Sequence, residues 1–300
     1  MTLSIIICSY NRASYISDAL SSLYTQTAGL NSFETIIVDN NSTDNTAEVF
    51  SQWSTLHTEG SFTYLTESKQ GASFARNTGA AFAKGAWLCF MDDDAVATPN
   101  YVENILNHIK TKPDAVGFGG RIIPKYIPAE PKWMSYYVSS LVGNFDYAPI
   151  ACAFKKGKYP LESNMIVKKD IYDQIGGFNG DLPGVVGTLR IGGEGKELFY
   201  KILALRHTIY YDPSICVHHV VEVKKLTSEY MYRVASGIGR GEKTRTIGIS
   251  KSAYFLKFIE YILKLGVSVI LAIKYILQAN PAKAKPVIQF RIDALKGLIK

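Results

Sequence analysis

Cysteine is scarce in this chain, and the few present are dispersed. The 300 residues hold only Cys8, Cys89, Cys152 and Cys216, with no CxxC pair and no metal-ligand spacing. That excludes a disulfide-stapled scaffold or a zinc ribbon. Three of the four lie in apolar surroundings and read as buried thiols of a reducing compartment. Repeats and low-complexity runs are also missing. With 47% hydrophobic and 20% charged residues, a disordered chain is excluded. The start, MTLSIIICSYNR, has neither a basic segment before its apolar run nor a small-residue cleavage site. It reads as a first strand, not a signal peptide.

Acidic residues are nearly absent from the last fifty positions. Residues 251–300 carry nine basic residues against Glu260 and Asp293, whereas the first 250 carry 24 of each sign. The net charge of +7 therefore belongs to a tail. A nucleic-acid binder spreads basic groups over its folded face with aromatics between them, so no nucleic-acid partner is expected. A tail both basic and greasy points to an anionic membrane surface. At about 100° per residue, Lys257, Glu260, Lys264, Ser268, Lys274 and Gln278 share roughly a third of a helical circumference. The rest of 253–277 is almost wholly apolar, yet its longest uncharged run, 265–273, is nine residues. That is short of the ~20 needed to span a bilayer. An amphipathic helix in the membrane interface is expected. The competing readings are a helix on the protein's own core or a hairpin broken at Gly266.

The first half alternates. Apolar runs of strand length occupy 3–8, 33–38, 62–65 and 86–91, with helical patterns around 16–23, 42–50 and 73–83. This order predicts an α/β fold: a Rossmann-like, mostly parallel sheet with helices on both faces. Ligands bind outside the carboxyl ends of such strands. Polar clusters fall there in phase: Ser9 to Arg12, Asp39 to Asp44, and Asp92 to Asp94. Between 120 and 160, glycines, prolines and aromatics break the pattern into loops. Strands are expected again at 164–167, 209–211 and 215–221, and a helix at 194–205. The expected domains are 1–245 and the amphipathic tail 246–300.

Asp92-Asp93-Asp94 ends an apolar strand. Adjacent carboxylates repel, an arrangement most easily tolerated beside a cation or in open solvent. Alternate residues of an extended chain face one way, so Asp92 and Asp94 can converge while Asp93 points elsewhere. Hard oxygen donors favour Mg²⁺ or Mn²⁺, which commonly bridge phosphates. The alternative is a solvated acidic turn.

These segments, in this order, resemble the glycosyltransferase family 2 enzymes with the GT-A fold. The resemblance runs through SIIICSYNR (4–12), ETIIVDNNSTDNT (34–46), KQGASFARNTGAAFAKGAWLCFMDDDA (69–95), IGGFNGDL (175–182), GGEGKEL (192–198) and YYDPSICVHHVV (210–221). It implies that Ser9, Tyr10, Arg12 and Asp39 hold the nucleotide base and ribose, with Arg76 beside them. A carboxylate at Asp39 can accept from the imide N–H of uracil or thymine; the alternative is a turn or cap residue. Asp92 would contact ribose or metal, Asp93 would reach the ribose, and Asp94 and His219 would hold Mn²⁺ or Mg²⁺. His218 would face the other side of its strand. The family's acceptor-activating aspartate is replaced here by Gly195, which leaves Glu194 as the candidate base and Glu197, one turn on, as second. Asn164, in ESNMIVKKD, either lines the sugar site or is a structural amide.

The activity implied is inverting transfer from a nucleoside-diphosphate sugar, with UDP as the expected nucleotide. The acceptor would be a lipid-linked or polysaccharide hydroxyl at the cytoplasmic face of a membrane. A degenerate nucleotide-sugar-binding scaffold is the alternative, and Gly195 motivates it. A nucleotidyltransferase would carry a Gly-rich triphosphate loop, and Ser9 to Arg12 contain no glycine.

Overall fold

The computed structural model describes residues 1–187 and 189–300. Strands β1 (Leu3–Ser9), β2 (Phe33–Asp39), β3 (Ser61–Thr66) and β4 (Trp87–Asp92) alternate with helices α1 (Ala13–Tyr24), α2 (Thr46–Leu56) and α3 (Ala72–Phe82). They pair in parallel, in the order β3-β2-β1-β4. Leu3, Ile5 and Ile7 enter one core beside Ile16, Leu20 and Leu23 of α1, and Ile6 enters the other beside Ala75 and Ala80 of α3. A strand buried on both faces reads as a nearly continuous apolar run, as β1 does apart from Ser4, whose hydroxyl donates to Glu34 at 2.6 Å.

Next come β5 (Ala95–Ala97), α4 (Tyr101–Thr111), β6 (Gly117–Ile127), α5 (Tyr136–Ser139), β7 (Cys152–Ala153), β8 (Asn164–Lys168) and α6 (Lys169–Gln174). After them run β9 (Gly184–Val186), β10 (Leu189–Ile191), α7 (Glu194–Ala204) and β11 (Ile209–Glu222). The sheet continues from β4 through β8, β6 and β11 to β5, with β7 beside β11. β8 is antiparallel to β4 and β6, and β11 to β5 and β7. The α/β architecture is the expected one, with an antiparallel half added. Two element boundaries differ. The second helix starts at Thr46, not 42, because Asp44 accepts the Thr46 N–H at 3.1 Å and the Ala13 N–H at 3.1 Å, fixing 42–45 as a turn. Residues 209–222 form one strand that runs through Pro213.

The chain divides into two compact units. The first comprises Met1–Ile123, Phe145–Gly180 and Gly195–Val220; the second comprises Pro124–Asn144, Asp181–Glu194 and Val221–Lys300. Residues 246–300 lie wholly in the second.

The second unit is built on α8 (Ser228–Ile249), α9 (Lys251–Leu277) and α10 (Ala284–Ile299). α8 and α10 touch backbone to backbone. A Cβ on Gly239 would lie 2.0 Å from the Ala294 carbonyl oxygen, and one on Gly297 would lie 1.9 Å from that of Ser236. α9 continues through Gly266, and the turn lies at 278–283. Its buried seam is Tyr261, Ser268 and Ala272. Lys257 Nζ stands 3.6 Å from Oε2 of buried Glu242, which also pairs with Arg245 at 2.8 Å. The opposite face is apolar and open: Leu263 is 65% exposed, Ile270 68% and Leu277 82%. Among the described residues, no helix is long and apolar enough to cross a membrane.

Candidate active site

The parallel register sets Ser9 beside Asp39, and Cys8 beside Asp92. The carboxyl ends of β1, β2 and β4 thus deliver polar side chains to one rim. Asn11 and Asn41 hold left-handed backbone (φ 53 and 66), which asparagine tolerates better than most residues. Asn11 Oδ1 accepts the Thr43 N–H at 2.7 Å, and its own N–H donates to Ser42 Oγ at 3.0 Å. The loops after β1 and β2 are thereby tied together.

Asp39 is buried on this rim. It accepts the Ser42 N–H at 2.9 Å and the Tyr64 hydroxyl at 2.6 Å. Burial and then that bond push the Tyr64 phenol well above its usual range. Asp39 therefore does serve as a turn acceptor. Each carboxylate oxygen can accept a second hydrogen bond, so the turn does not use up its capacity. Tyr10 and Arg12, in the loop after β1, are partly exposed.

In the acidic triplet, Asp93 and Asp94 are buried and Asp92 is one-third exposed. Asp93 accepts the Ser9 hydroxyl at 2.8 Å. Burial, then the Asp94 charge, push the Asp93 carboxyl well above the usual carboxylate range. Asp92, Asp94 and His219 each offer a ligand atom, and these lie within 4.8 Å of one another. The β5–β11 register explains the histidine. His219 lies opposite Ala95 and His218 opposite Val96, while the Val220 N–H donates to the Asp94 carbonyl at 2.9 Å. His219 Nε2 is 2.9 Å from Asp94 Oδ1, and its buried Nδ1 has no hydrogen-bond partner among the described residues. Two carboxylates with an imidazole fit Mn²⁺ well; Mg²⁺ prefers oxygen alone.

Two guanidinium groups flank the cluster. Arg12 Nη1 is 3.6 Å from Asp94 Oδ2, and Arg76 Nη2 is 3.7 Å from Asp92 Oδ1. Arg76 lies over the Phe178 ring at 5.3 Å. Ser163, which sequence reasoning passed over, donates its hydroxyl to Asp92 Oδ2. Its only signal was its place in ESNMIVKKD. Asn164 proves to be the structural amide. It is fully buried, accepts the Tyr101 hydroxyl at 2.8 Å, and donates to the carbonyls of Arg121 and Ile215 at 3.0 Å each. Phe145, Tyr147, Phe154 and Tyr211 pack on one another.

Glu194 opens α7 and is buried. The turn before it sits on α8: the Gly192 N–H donates to the Gly237 carbonyl at 3.1 Å, and a Cβ on Gly241 would lie 1.5 Å from Gly192 O. The glycines of α8 were not singled out from sequence; their signal is the G-x-G-x-G spacing of 237–241. Glu197 is paired with Lys201 Nζ at 3.3 Å. That matches an ordinary helix residue.

Comparison with known proteins fits this geometry. The fold is the GT-A fold. The mannosyltransferase PcManGT of Pyrobaculum calidifontis, solved with GDP-Man and Mn²⁺, aligns at TM-score 0.67 and 18% identity, over 99% of this chain and 86% of that one. GalNAc-T7, solved with UDP, GalNAc and Mn²⁺, aligns at TM-score 0.57 and 17% identity, over 80% and 48%. Residues 4–176, more than half of the chain, match the model of glycosyl transferase family 2, and the protein belongs to that family. A glucosyl-dolichyl phosphate glucuronosyltransferase of Haloferax volcanii is 24% identical over 181 residues, 60% of this chain and 56% of the relative. An uncharacterized glycosyltransferase of Haemophilus influenzae is 32% identical over 187 residues, 59% and 56%. The chain spans about half the length of the curated relatives it matches.

Proposed function

We propose that this chain is a metal-dependent, inverting glycosyltransferase. It moves a hexose from a nucleoside-diphosphate sugar, UDP-linked by preference, to a hydroxyl of a lipid-linked or polysaccharide acceptor. The observation that carries this reading is the convergence of Asp92, Asp94 and His219 at the strand ends. Ser9, Tyr10, Arg12, Asp39, Arg76 and Asp93 surround the donor, with Asp39 accepting from the imide of the base. Asp94 and His219, with Asp92 adjoining, hold Mn²⁺ or Mg²⁺. When bound, the cation supplies positive charge to the diphosphate. Arg12 and Arg76 add fixed positive charge beside it.

Glu194 takes the proton of the acceptor hydroxyl. The acceptor oxygen forms its bond to the anomeric carbon as the carbon–oxygen bond to the diphosphate breaks, and that electron pair leaves with the nucleoside diphosphate. A single displacement inverts the centre. A lipid-linked acceptor is supported by the name of the Haloferax relative, a glucosyl-dolichyl phosphate glucuronosyltransferase.

The same reading places residues 246–300 on an anionic membrane, as a peripheral anchor at its cytoplasmic face. Support comes from α9, whose apolar face is outward rather than on the core, with Lys251, Lys264 and Lys274 exposed. Its apolar arc is wider than a coiled-coil seam: Ile262, Val267 and Ile276 flank the Leu256, Leu263, Ile270 and Leu277 line.

Calorimetric titration with UDP, GDP and dTDP, with and without Mn²⁺, tests the reading. We expect Mn²⁺-dependent binding of one nucleotide, weakened at least ~100-fold by Asp94→Ala. Glu194→Gln should keep binding and lower transfer by about 10²–10⁴. Failure of all three nucleotides to bind would overturn the proposal.

A further inference from the structure

A side chain at position 195 would have to displace a carboxylate from elsewhere in the chain. A Cβ built on Gly195 would lie 2.6 Å from Glu162 Oε1 and 2.7 Å from Glu162 Cδ and Cγ. The collision is with the carboxylate head itself. Glu162 Oε1 accepts the Gly195 N–H at 2.9 Å, at the amino end of α7. The positive end of an eleven-residue helix favours a negative group there. The next residue along the chain, Ser163, donates its hydroxyl to Asp92 of the carboxylate–imidazole cluster. One dipeptide in the turn before β8 thus joins the start of α7 to the cluster.

We propose that Glu162 is the acceptor-side carboxylate of this site. It occupies the space that a side chain at 195 would fill, and it accepts a hydrogen bond from a hydroxyl of the incoming acceptor, orienting it for Glu194. Gly195 is then the complement of Glu162 rather than a lesion in the motif. The inference rests on the reading of the chain as a glycosyltransferase and adds a residue to its site. A carboxylate suits this task because its two oxygens can accept from the N–H and from a sugar hydroxyl or water at once.

The test needs no identified acceptor, because water takes the acceptor's place in slow hydrolysis of the donor. Release of nucleoside diphosphate from UDP-glucose, GDP-mannose and dTDP-glucose would be followed with Mn²⁺, alongside calorimetric nucleotide affinity and thermal unfolding. Glu162→Gln should leave affinity within about twofold of wild type while slowing hydrolysis at least ~10-fold. Gly195→Asp alone should lower the melting temperature and hydrolysis, through collision with Glu162. The exchange Glu162→Ala with Gly195→Asp should melt higher than Gly195→Asp alone and hydrolyse faster than Glu162→Ala alone. A chain with Glu162→Gln that hydrolyses donor within about twofold of wild type would overturn the inference. So would an exchange variant no better than Glu162→Ala. A wild type that binds none of the nucleotides overturns the glycosyltransferase reading, and this inference with it.

Discussion

The strand-end rim of the first unit and helix α9 of the second use burial in opposite ways. On the rim, polar groups that are buried or nearly so gather where the strands stop, each with a partner: buried Asp93 with Ser9, buried Asp39 with Tyr64, and part-exposed Asp92 with Ser163. Beneath them the sheet is mostly apolar, with the buried polar residues Ser4 and Glu34 paired with each other. On α9 an apolar stripe faces outward, while Ser268 and the Glu242–Lys257 pair lie inward; Ser268 is 3% exposed, whereas Leu263 is 65% exposed. A buried polar group is informative because it is costly unless paired, and an open apolar face because water does not favour it. The rim therefore suits a charged ligand, and the outer face of α9 is the surface on which the proposed membrane contact rests.

That contrast can be broken at several points. The largest effect is expected at Glu242, whose buried carboxylate holds Arg245 and Lys257. Glu242→Ala should cost about 3–5 kcal/mol by chemical denaturation, since it strips the mostly buried Arg245 guanidinium of this carboxylate and leaves Lys257 on Glu260. A cost near zero would mean that the inward polar seam of α9 is not a packed interface. In the sheet, Ile5→Ala should cost about 2–5 kcal/mol, while Leu263→Ala on α9 should change stability by less than about 0.5 kcal/mol. Equal costs would show that the outer face of α9 is covered by the protein itself.

The double change Leu263→Glu with Ile270→Glu should leave melting unaffected and weaken sedimentation with phosphatidylglycerol vesicles about 100-fold. If vesicle binding persisted, or a dimer dissociated instead, a second copy rather than a bilayer would be the partner of that face. The smallest effect concerns acid. Burial raises the Asp212 carboxyl, but hydrogen bonds from His108 and Ser214 outweigh it and bring it down to about 2. With the folded value below the unfolded one, its contribution is fully present above pH ~4 and fades as pH falls towards 2. Asp212→Asn should flatten the stability profile in that window alone.

Much of this was legible beforehand, for identifiable reasons. Strands buried on both faces are mostly apolar, so β1, β2 and β4 announce themselves, and the polar residues that end them mark the rim. Asp92, Asp94 and His219 were readable because strand alternation and motif position both point to them. Ser163 and Glu162 were not, since a serine and a glutamate in a turn carry no periodic signal. Helix boundaries at 42–45 were misread because Asp44 spends its side chain on the turn rather than on a helix start at 42.

The sequence by itself determined the α/β order, the polar strand ends, the family and the amphipathic character of the tail. All of these follow from local period and composition, which neighbours along the chain are enough to set. Only the tertiary structure decided which face of α9 is open, that Asn164 is spent on the sheet, and that the space at Gly195 belongs to Glu162. Each depends on what residues far apart in the chain place in the same volume. Two groups cannot share that volume, and a buried polar atom must find its partner there.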